Sequence, residues 1–381
     1  MKLSLRSAKV AQSEIRSMTA ACNALGGINM AQGVCDLKVP SEVIEGAKAA
    51  MDAGINIYTP TEGLPRLRQA IAEKMKRFYD VAVEPNQVLV SDGATGAFYT
   101  ACLALLNPGD EVILFEPYYG YHRSTLLSVE AVPVFVRLEA PEWKLDVRAL
   151  EERITPKTRA IVICNPANPS GKVYTKEELE HIGALAEKHD LIVFSDEMYE
   201  HFIYGEAKHV PALSIPSLRD RCVSLSGFSK VFSVTGWRLG YAIAPIAVIE
   251  AMAQLNDFIY VCAPAPLQIG AAEGLEKLGD DYYAELARIH EHKRDLFCDA
   301  LRDAGLHPSV PDGAYYVMCD VSSVPGNDDR EKAMAVLEKT GVACVPGRAF
   351  YHDDAGGNMV RFCYSKPLDV LEVAAERIRR L

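Results

Sequence analysis

Residues 224–241 read SLSGFSKVFSVTGWRLGY. The run just before, Cys222 to Leu225, is short and has the apolar character of a buried strand. The residues after it are rich in Ser, Gly and Thr and offer no apolar helix face, yet Lys230 stands among them. Most lysines are solvated surface groups. One held at a strand end among cationic or apolar neighbours has a lowered pKa and can form a Schiff base. Arg238, eight residues on, offers a planar donor fork suited to phosphate.

Outward from this segment the same pattern recurs. Val88 to Val90, Val112 to Phe115, Val132 to Val136, Ala160 to Cys164, Leu191 to Phe194, Cys222 to Leu225 and Leu239 to Ile243 are short apolar runs bounded by Gly, Pro, Asn or Asp. Helical stretches at Gly96 to Leu106 and Lys176 to Lys188 lie between some of them, and Leu64, Leu67, Ala70, Ile71, Met75 and Phe78 mark a further amphipathic helix over Glu62 to Tyr79. The alternation predicts an α/β fold: a mostly parallel seven-stranded sheet with helices on both faces. From about residue 280 the pattern changes to a long charged helix (Asp281 to Ala304), shorter strands at Ala314 to Cys319, Val342 to Val345 and Val360 to Cys363, and a last helix from Pro367. That is the pattern of a smaller α+β domain. The first ~45 residues look extended and turn-like without a strong helix, and are expected to pack with the C-terminal part. The expected division is 46–280 for the large domain, with 1–45 and 281–381 forming the small one.

Composition narrows the function. With 381 residues, 49% apolar and 24% charged, the chain can bury a sizeable core, which excludes disorder, collagen and coiled coil. Forty basic against 51 acidic side chains, a net charge of −11, argue against a general grip on nucleic acid or anionic lipid, so any phosphate must be held locally. No apolar run approaches the roughly 20 residues of a membrane span. The opening MKLSLRSAKVAQSEIRS lacks the apolar segment of a leader, so a cytoplasmic protein is expected. Ten scattered cysteines without a CxxC pair are expected to be buried free thiols. His290 and His292 are two residues apart and point to different helix faces, so no metal site is expected.

In a parallel α/β sheet ligands bind beyond the carboxyl ends of strands. After the first strand comes SDGATGAFYT, where Ser91 to Thr95 open a helix whose free amides suit an anion, although an ordinary helix cap uses the same residues. The segment matches neither GxGxxG nor GxxxxGK[ST]. EPYYGYH (116–122) supplies rings that stack on a flat ligand or pack in the core. NPANPSG (165–171) places the Asn168 amide in a turn within reach of a ligand. In FSDEMYEH (194–201), Asp196 follows four apolar residues, and a buried carboxylate needs a cation or a strong donor. Tyr199 lies one turn further on.

Taken together these segments resemble the class I/II aminotransferases, pyridoxal-phosphate enzymes of the aspartate aminotransferase fold. SGFSKVFSVTGWRLG resembles the family's lysine signature, and YTPTEGLPRLRQAIA, DGATGAFY, EPYYGYH, NPANPSGKVY, SDEMYEH and MVRFCYS resemble its other motifs in order and spacing. INMAQGVCDLKVP resembles the segment that closes over substrate, and the likeness covers about residues 28 to 380. The resemblance implies that Lys230 forms the Schiff base with pyridoxal 5'-phosphate and then acts as the general base for the substrate α-proton. It implies that Asp196 pairs with the protonated pyridine nitrogen, that Asn168 and Tyr199 hydrogen-bond the phenolic oxygen, and that Tyr119 stacks on the ring. The amides of Gly93, Ala94 and Thr95, with Ser229 and Arg238, hold the phosphate by the same likeness, and Tyr58 reaches the phosphate of the other subunit of a homodimer. Arg361 clamps the substrate α-carboxylate, with Asn168 and the backbone near Gly33 beside it.

The sequence departs from the family pattern in three respects. Gly227 stands where many members carry Ser or Thr, which leaves Ser226 as a candidate replacement hydroxyl. Cys35 replaces a frequent proline, and spacing locates no second arginine for a dicarboxylate side chain. The implied reaction moves an amino group from an L-amino acid to a 2-oxo acid such as 2-oxoglutarate. A carbon–sulfur β-lyase of the same fold would use the same Lys230, Asp196 and Arg361. A noncatalytic binding domain would not need both a Schiff-base lysine and a pyridinium partner.

Overall fold

The computed structural model describes residues 4, 6, 7, 13–35 and 37–381. Residues 1–3, 5, 8–12 and 36 lie outside it, and with them most of the N-terminal stretch read as lacking a leader. After a two-residue strand β1 (Ile28–Asn29) come β2 (Val88–Ser91), β3 (Glu111–Glu116), β4 (Val132–Arg137), β5 (Thr158–Cys164), β6 (Ile192–Asp196), β7 (Cys222–Gly227) and β8 (Gly240–Ile243). Strands β2 to β8 are the seven apolar runs of the sequence, and they form one sheet in the order β2-β8-β7-β6-β5-β3-β4. The pairs from β7 through β6, β5 and β3 to β4 are parallel. β8 is antiparallel to both β2 and β7. Only one helical turn, Phe228–Val231, and a short 3-10 turn separate β7 from β8. Without a crossover helix the chain returns beside β7 in the opposite direction.

Both faces of this sheet are buried, which is why its strands read as apolar runs rather than as alternation. One face, with Leu89, Leu114, Val162, Phe194 and Leu225, packs on Phe98 of the helix Gly93–Leu105 and Met252 of the helix Ile246–Tyr260. The opposite face, with Val90, Ile113, Ile161 and Val193, packs on Leu67 and Ile71 of Pro65–Tyr79 and on Leu179 and Ile182 of Lys176–Lys188. The last of these helices starts with a reciprocal cap. Thr175 Oγ1 accepts from the Glu178 amide at 3.1 Å while the Glu178 carboxylate accepts from the Thr175 amide at 3.0 Å.

The C-terminal part contains β9 (His307–Ser309), β10 (Tyr316–Asp320), β11 (Val342–Ala343), β12 (Val345–Pro346) and β13 (Met359–Cys363). A four-stranded antiparallel sheet runs β12-β13-β10-β9, and β11 pairs instead with β1. The run Val342 to Val345, expected as one strand, is therefore two, because the chain changes partner at Cys344. The N-terminal segment meets this part: Ile28 pairs with Val342, and the Cys363 amide donates to Met30 O at 2.7 Å.

The expectation of no strong N-terminal helix is corrected. Helices occupy Glu14–Ala24 and Ser41–Asp52. The buried face of the second is Val43, Ala47 and Ala50, residues of modest size at helical spacing. Their smallness lets it lie close against the helix Ala265–Lys277, where a Cβ on Gly270 would come 2.6 Å from Val43 O. The ten cysteines are free, eight of them buried and Cys164 and Cys262 partly exposed. No helix among the described residues is long and apolar enough to cross a membrane.

One contact fixes the start of the helix Gly93–Leu105 against the sheet. A Cβ at Gly240 would lie 2.3 Å from the Ala94 amide nitrogen and 2.5 Å from the Gly93 carbonyl carbon, so β8 passes this turn with room only for hydrogen. Gly240→Ala is expected to destabilise the fold by roughly 1–3 kcal/mol, the usual cost of overpacking against backbone that cannot yield. Urea unfolding of the two proteins measures it, and an unchanged midpoint would mean that the turn moves aside freely.

Candidate active site

A cavity of about 510 Å³ opens at the carboxyl ends of the parallel strands. Gly33, Ala94, Thr95, Tyr119, Asn168, Asp196, Tyr199, Ser229, Lys230, Arg238 and Arg361 all line it. Residues far apart in the chain meet there because each follows a different strand. Asn168 comes after β5, Asp196 ends β6, Lys230 follows β7, and Arg361 reaches in from β13 of the smaller sheet.

Lys230 Nζ donates to Gly33 O at 2.9 Å and lies 5.7 Å from the centre of the Tyr315 ring. Burial pulls its pKa down to about 8; the thiols of Cys363 and Cys35 oppose the shift, while Arg238 and Arg361 add to it. A neutral amine is thus present at moderately alkaline pH, as a lysine nucleophile or proton acceptor requires.

Asp196 is buried and has two donors. The Met198 amide reaches Oδ1 at 3.2 Å, and His122 Nε2 lies 2.9 Å from Oδ2. The Tyr199 hydroxyl sits 2.9 Å from that of Tyr316, and burial raises the pKa of both phenols. Tyr119 is stacked on Tyr121 at 5.2 Å and meets His122 edge-on at 5.3 Å.

At the other end of the cavity begins the helix Gly93–Leu105, whose first amides have no intrahelical acceptor. Gly93 has φ +74°, and a Cβ there would come 2.6 Å from Arg238 Nη2, so the guanidinium lies directly over the helix start. Arg238 donates to Thr235 O at 3.0 Å and has no carboxylate partner among the described residues. Free amides, a helix N-terminus and an unpaired guanidinium form an anion cradle.

Arg361 is 1% exposed, yet it too has no carboxylate partner among the described residues. Its Nη1 donates to Asn168 Oδ1 at 2.9 Å and its Nη2 to Ala31 O at 2.7 Å, while Nε has no partner. The rings of Tyr316 and Phe350 lie 4.3 and 5.0 Å from the guanidinium carbon.

One expectation changes on this geometry. Ser226 does not replace the missing hydroxyl: its Oγ donates to Glu200 Oε1 at 2.7 Å, behind the cavity, in a buried cluster with Lys74 and Tyr79. Tyr58 does not line the cavity of its own chain, being 81% exposed beside Ile57. His290, set aside as a metal ligand, is engaged with Leu286 O at 2.8 Å and Ser365 Oγ at 2.9 Å. Sequence reasoning did not single out His122 or Tyr316. His122 stands inside the quoted EPYYGYH segment, but its partner is 74 residues away. Tyr316 reads only as another apolar strand residue.

The donor set fits pyridoxal phosphate. The cradle at Gly93 and Arg238 suits a phosphate, the Asp196 carboxylate suits a protonated ring nitrogen, and the Lys230 amine suits an aldehyde. Comparison with known proteins gives the same direction. Residues 26–378 match the family described as aminotransferase class I and II. The chain is 35% identical to an aspartate aminotransferase of Pyrococcus abyssi, over all of this chain and 98% of that one. It is 34% identical to kynurenine–oxoglutarate transaminase 3 of Rattus norvegicus, over 92% and 84% of the two chains. The solved structure of N-succinyldiaminopimelate aminotransferase from Mycobacterium tuberculosis superposes with a TM-score of 0.95 at 32% identity, covering all of this chain and 99% of the other.

The lowered pKa of Lys230 has a direct signature. In the cofactor-free protein, acylation of Lys230 is expected to speed up with pH and level off above about pH 8. Surface lysines should keep accelerating to about pH 10. Peptide-resolved mass spectrometry reads both, and a Lys230 profile matching the surface lysines would contradict the assigned environment.

Proposed function

The chain belongs to the class I and II aminotransferases and is a pyridoxal-phosphate-dependent enzyme, and from that premise we propose that it transfers the amino group of an L-amino acid to a 2-oxo acid such as 2-oxoglutarate. The observation that carries this reading is Arg361, a buried guanidinium in the same cavity as Lys230 that lies over two aromatic rings and whose charge no carboxylate of the described chain answers. Both an amino acid and a 2-oxo acid bring the carboxylate that it lacks.

When bound, the cofactor supplies an electron-withdrawing ring that takes up the charge left as the substrate α-proton departs. In this reading the chain's own residues position and move that proton. Lys230 would hold the cofactor and would carry the substrate α-proton, a task suited to a group whose pKa is about 8. Asp196, held by His122, presents its negative charge to the ring nitrogen. Asn168 already accepts from Arg361 through Oδ1, so its Nδ2 is left to donate to the phenolic oxygen together with Tyr199. Tyr119 covers the ring. Gly93, Ala94, Thr95, Ser229 and Arg238 hold the phosphate, and Gly33 and Asn168 flank the substrate carboxylate on Arg361.

The proposal extends to a cytoplasmic homodimer. Ile57, Tyr58 and Phe258 are 80, 81 and 87% exposed. They lie on neighbouring segments, since the Thr59 amide donates to Cys262 Sγ at 3.5 Å. An apolar patch of this kind is what pairing of two copies would cover, bringing Tyr58 to the other chain's phosphate. Two functional domains, divided at residues 46 and 280, would place the cofactor on the larger and Arg361 on the smaller.

Two outcomes are expected. Arg361→Lys should raise KM by roughly 10- to 100-fold for every amino donor and for the 2-oxo acid acceptor alike, since one charge-assisted hydrogen bond is worth ~1.5–3 kcal/mol. Half-reaction kinetics followed by the absorbance of the cofactor measure both. Unchanged constants would reject the clamp, and release of ammonia with no acceptor requirement would favour elimination. Sedimentation of the active protein should give the mass of two chains, and a fully active species at the mass of one would reject the shared site.

A further inference from the structure

Tyr316 has no role in the proposed reaction so far, yet it touches two of the residues that do. It stands on β10, where Met318 pairs with Arg361 of β13 and Tyr316 with Cys363. Residues two apart on a strand share a face, so Tyr316 and Arg361 are diagonal neighbours on one side of the smaller sheet. The ring centre accordingly lies 4.3 Å from the guanidinium carbon. The hydroxyl points the other way, toward the larger sheet, and meets that of Tyr199 at 2.9 Å. Both tyrosines are buried. The backbone of Gly33 closes the space above the hydroxyl, since a Cβ there would fall 2.0 Å from it.

We propose that Tyr316 is a positioning residue that acts through both neighbours, its hydroxyl fixing the Tyr199 phenol and its ring fixing the plane of Arg361, so that the carboxylate subsite and the cofactor's phenolic oxygen are held in register. The proposal rests on the roles assigned to Tyr199 and Arg361 in amino-group transfer. A phenol has one proton. If Tyr199 gives its proton to the phenolic oxygen, its own oxygen can only accept from Tyr316, which fixes the order of donors along the chain. Burial keeps both phenols protonated well above neutral pH, so each has a proton to give. A donor that is itself receiving a hydrogen bond is polarised and donates more strongly. On the other side, the guanidinium lies over the rings of Tyr316 and Phe350, which offer it no acceptor, and its unpartnered Nε leaves a hydrogen bond for a carboxylate to take.

Two variants separate the parts. Tyr316→Phe keeps the ring and removes the hydroxyl. It should move upward the pH at which the visible absorption of the holoenzyme changes, because the phenolic oxygen loses part of the donation that stabilises its negative charge. Its kcat should fall roughly 3- to 10-fold, the effect of one neutral hydrogen bond, with donor KM within about twofold of wild type. Tyr316→Met removes the ring as well, and should weaken the holoenzyme's calorimetric affinity for 3-phenylpropanoate, an unreactive carboxylate, by roughly 3- to 30-fold. An unchanged absorption titration in Tyr316→Phe overturns the role of the hydroxyl, and an unchanged 3-phenylpropanoate affinity in Tyr316→Met overturns that of the ring. The nearly isosteric Tyr316→Phe decides alone if the methionine variant does not fold. Arg361→Lys serves as the control: if it binds 3-phenylpropanoate like wild type, the clamp reading has failed, separately from any result at Tyr316.

Discussion

Besides the exposed Arg16, three basic side chains, Lys230, Arg238 and Arg361, share one cavity with a single carboxylate, Asp196, which is already engaged with His122. Removing a cation from water without a counter-charge costs several kcal/mol, and like charges in one enclosure add to that. The chain answers differently at each position. Lys230 can shed its proton, and its lowered pKa expresses that. An arginine cannot. Arg361 is held instead by two oxygen acceptors and two ring faces, while Arg238 stays closer to solvent with Thr235 O as its acceptor. The negative charge that remains missing is what a phosphate and a carboxylate carry. Binding either one adds stability to the folded state by mass action as well as supplying chemistry.

The backbone that creates this enclosure is constrained in few places. Parallel strands β5, β6 and β7 end side by side, so short segments after each can converge without long loops. β8 then turns back antiparallel and brings Gly240 against Gly93 and Ala94, which fixes the helix start beneath Arg238. Arg361 comes from the other sheet and bonds to Asn168 of the first. The anion cradle thus belongs wholly to the large sheet and its helices, whereas the guanidinium for the carboxylate bridges both sheets.

What the sequence revealed depended on how far apart in the chain the cause lay. The seven strands were legible because burial on both faces leaves unbroken apolar runs. The segments after them were legible because a turn or a helix start needs particular residues within a few positions. Contacts across long separations carried no such signal: Tyr199 and Tyr316 are 117 residues apart, and nothing in GAYYVM marks the second as polar in function. Ser226 was misleading for a related reason. It is next to Gly227 in sequence, but it lies at the buried end of β7, where Glu200 accepts its hydroxyl hydrogen bond. The helix Ser41–Asp52 does carry helical spacing, with Val43, Ala47 and Ala50 buried four and three residues apart, but two of these three are alanines, which do not stand out as a core face the way Leu or Ile do.

The short stretch from Asn29 to Gly33 shows how the cations are held without being neutralised. Asn29 Oδ1 accepts from the Ala31 and Gln32 amides and so turns the chain. Met30 O then takes the Cys363 amide, Ala31 O takes Arg361 Nη2, and Gly33 O takes Lys230 Nζ. Main-chain carbonyls are dipoles, not charges. They orient an ammonium or guanidinium and satisfy its N–H groups while leaving the net positive charge in place. A carboxylate at the same positions would bind each cation more strongly, but it would also repel an incoming substrate carboxylate and have to be displaced by it. Neutral acceptors therefore suit a site that must stay ready for an anion, and the bond from Lys230 to Gly33 is weak enough for the amine to exchange for a proton or a covalent partner.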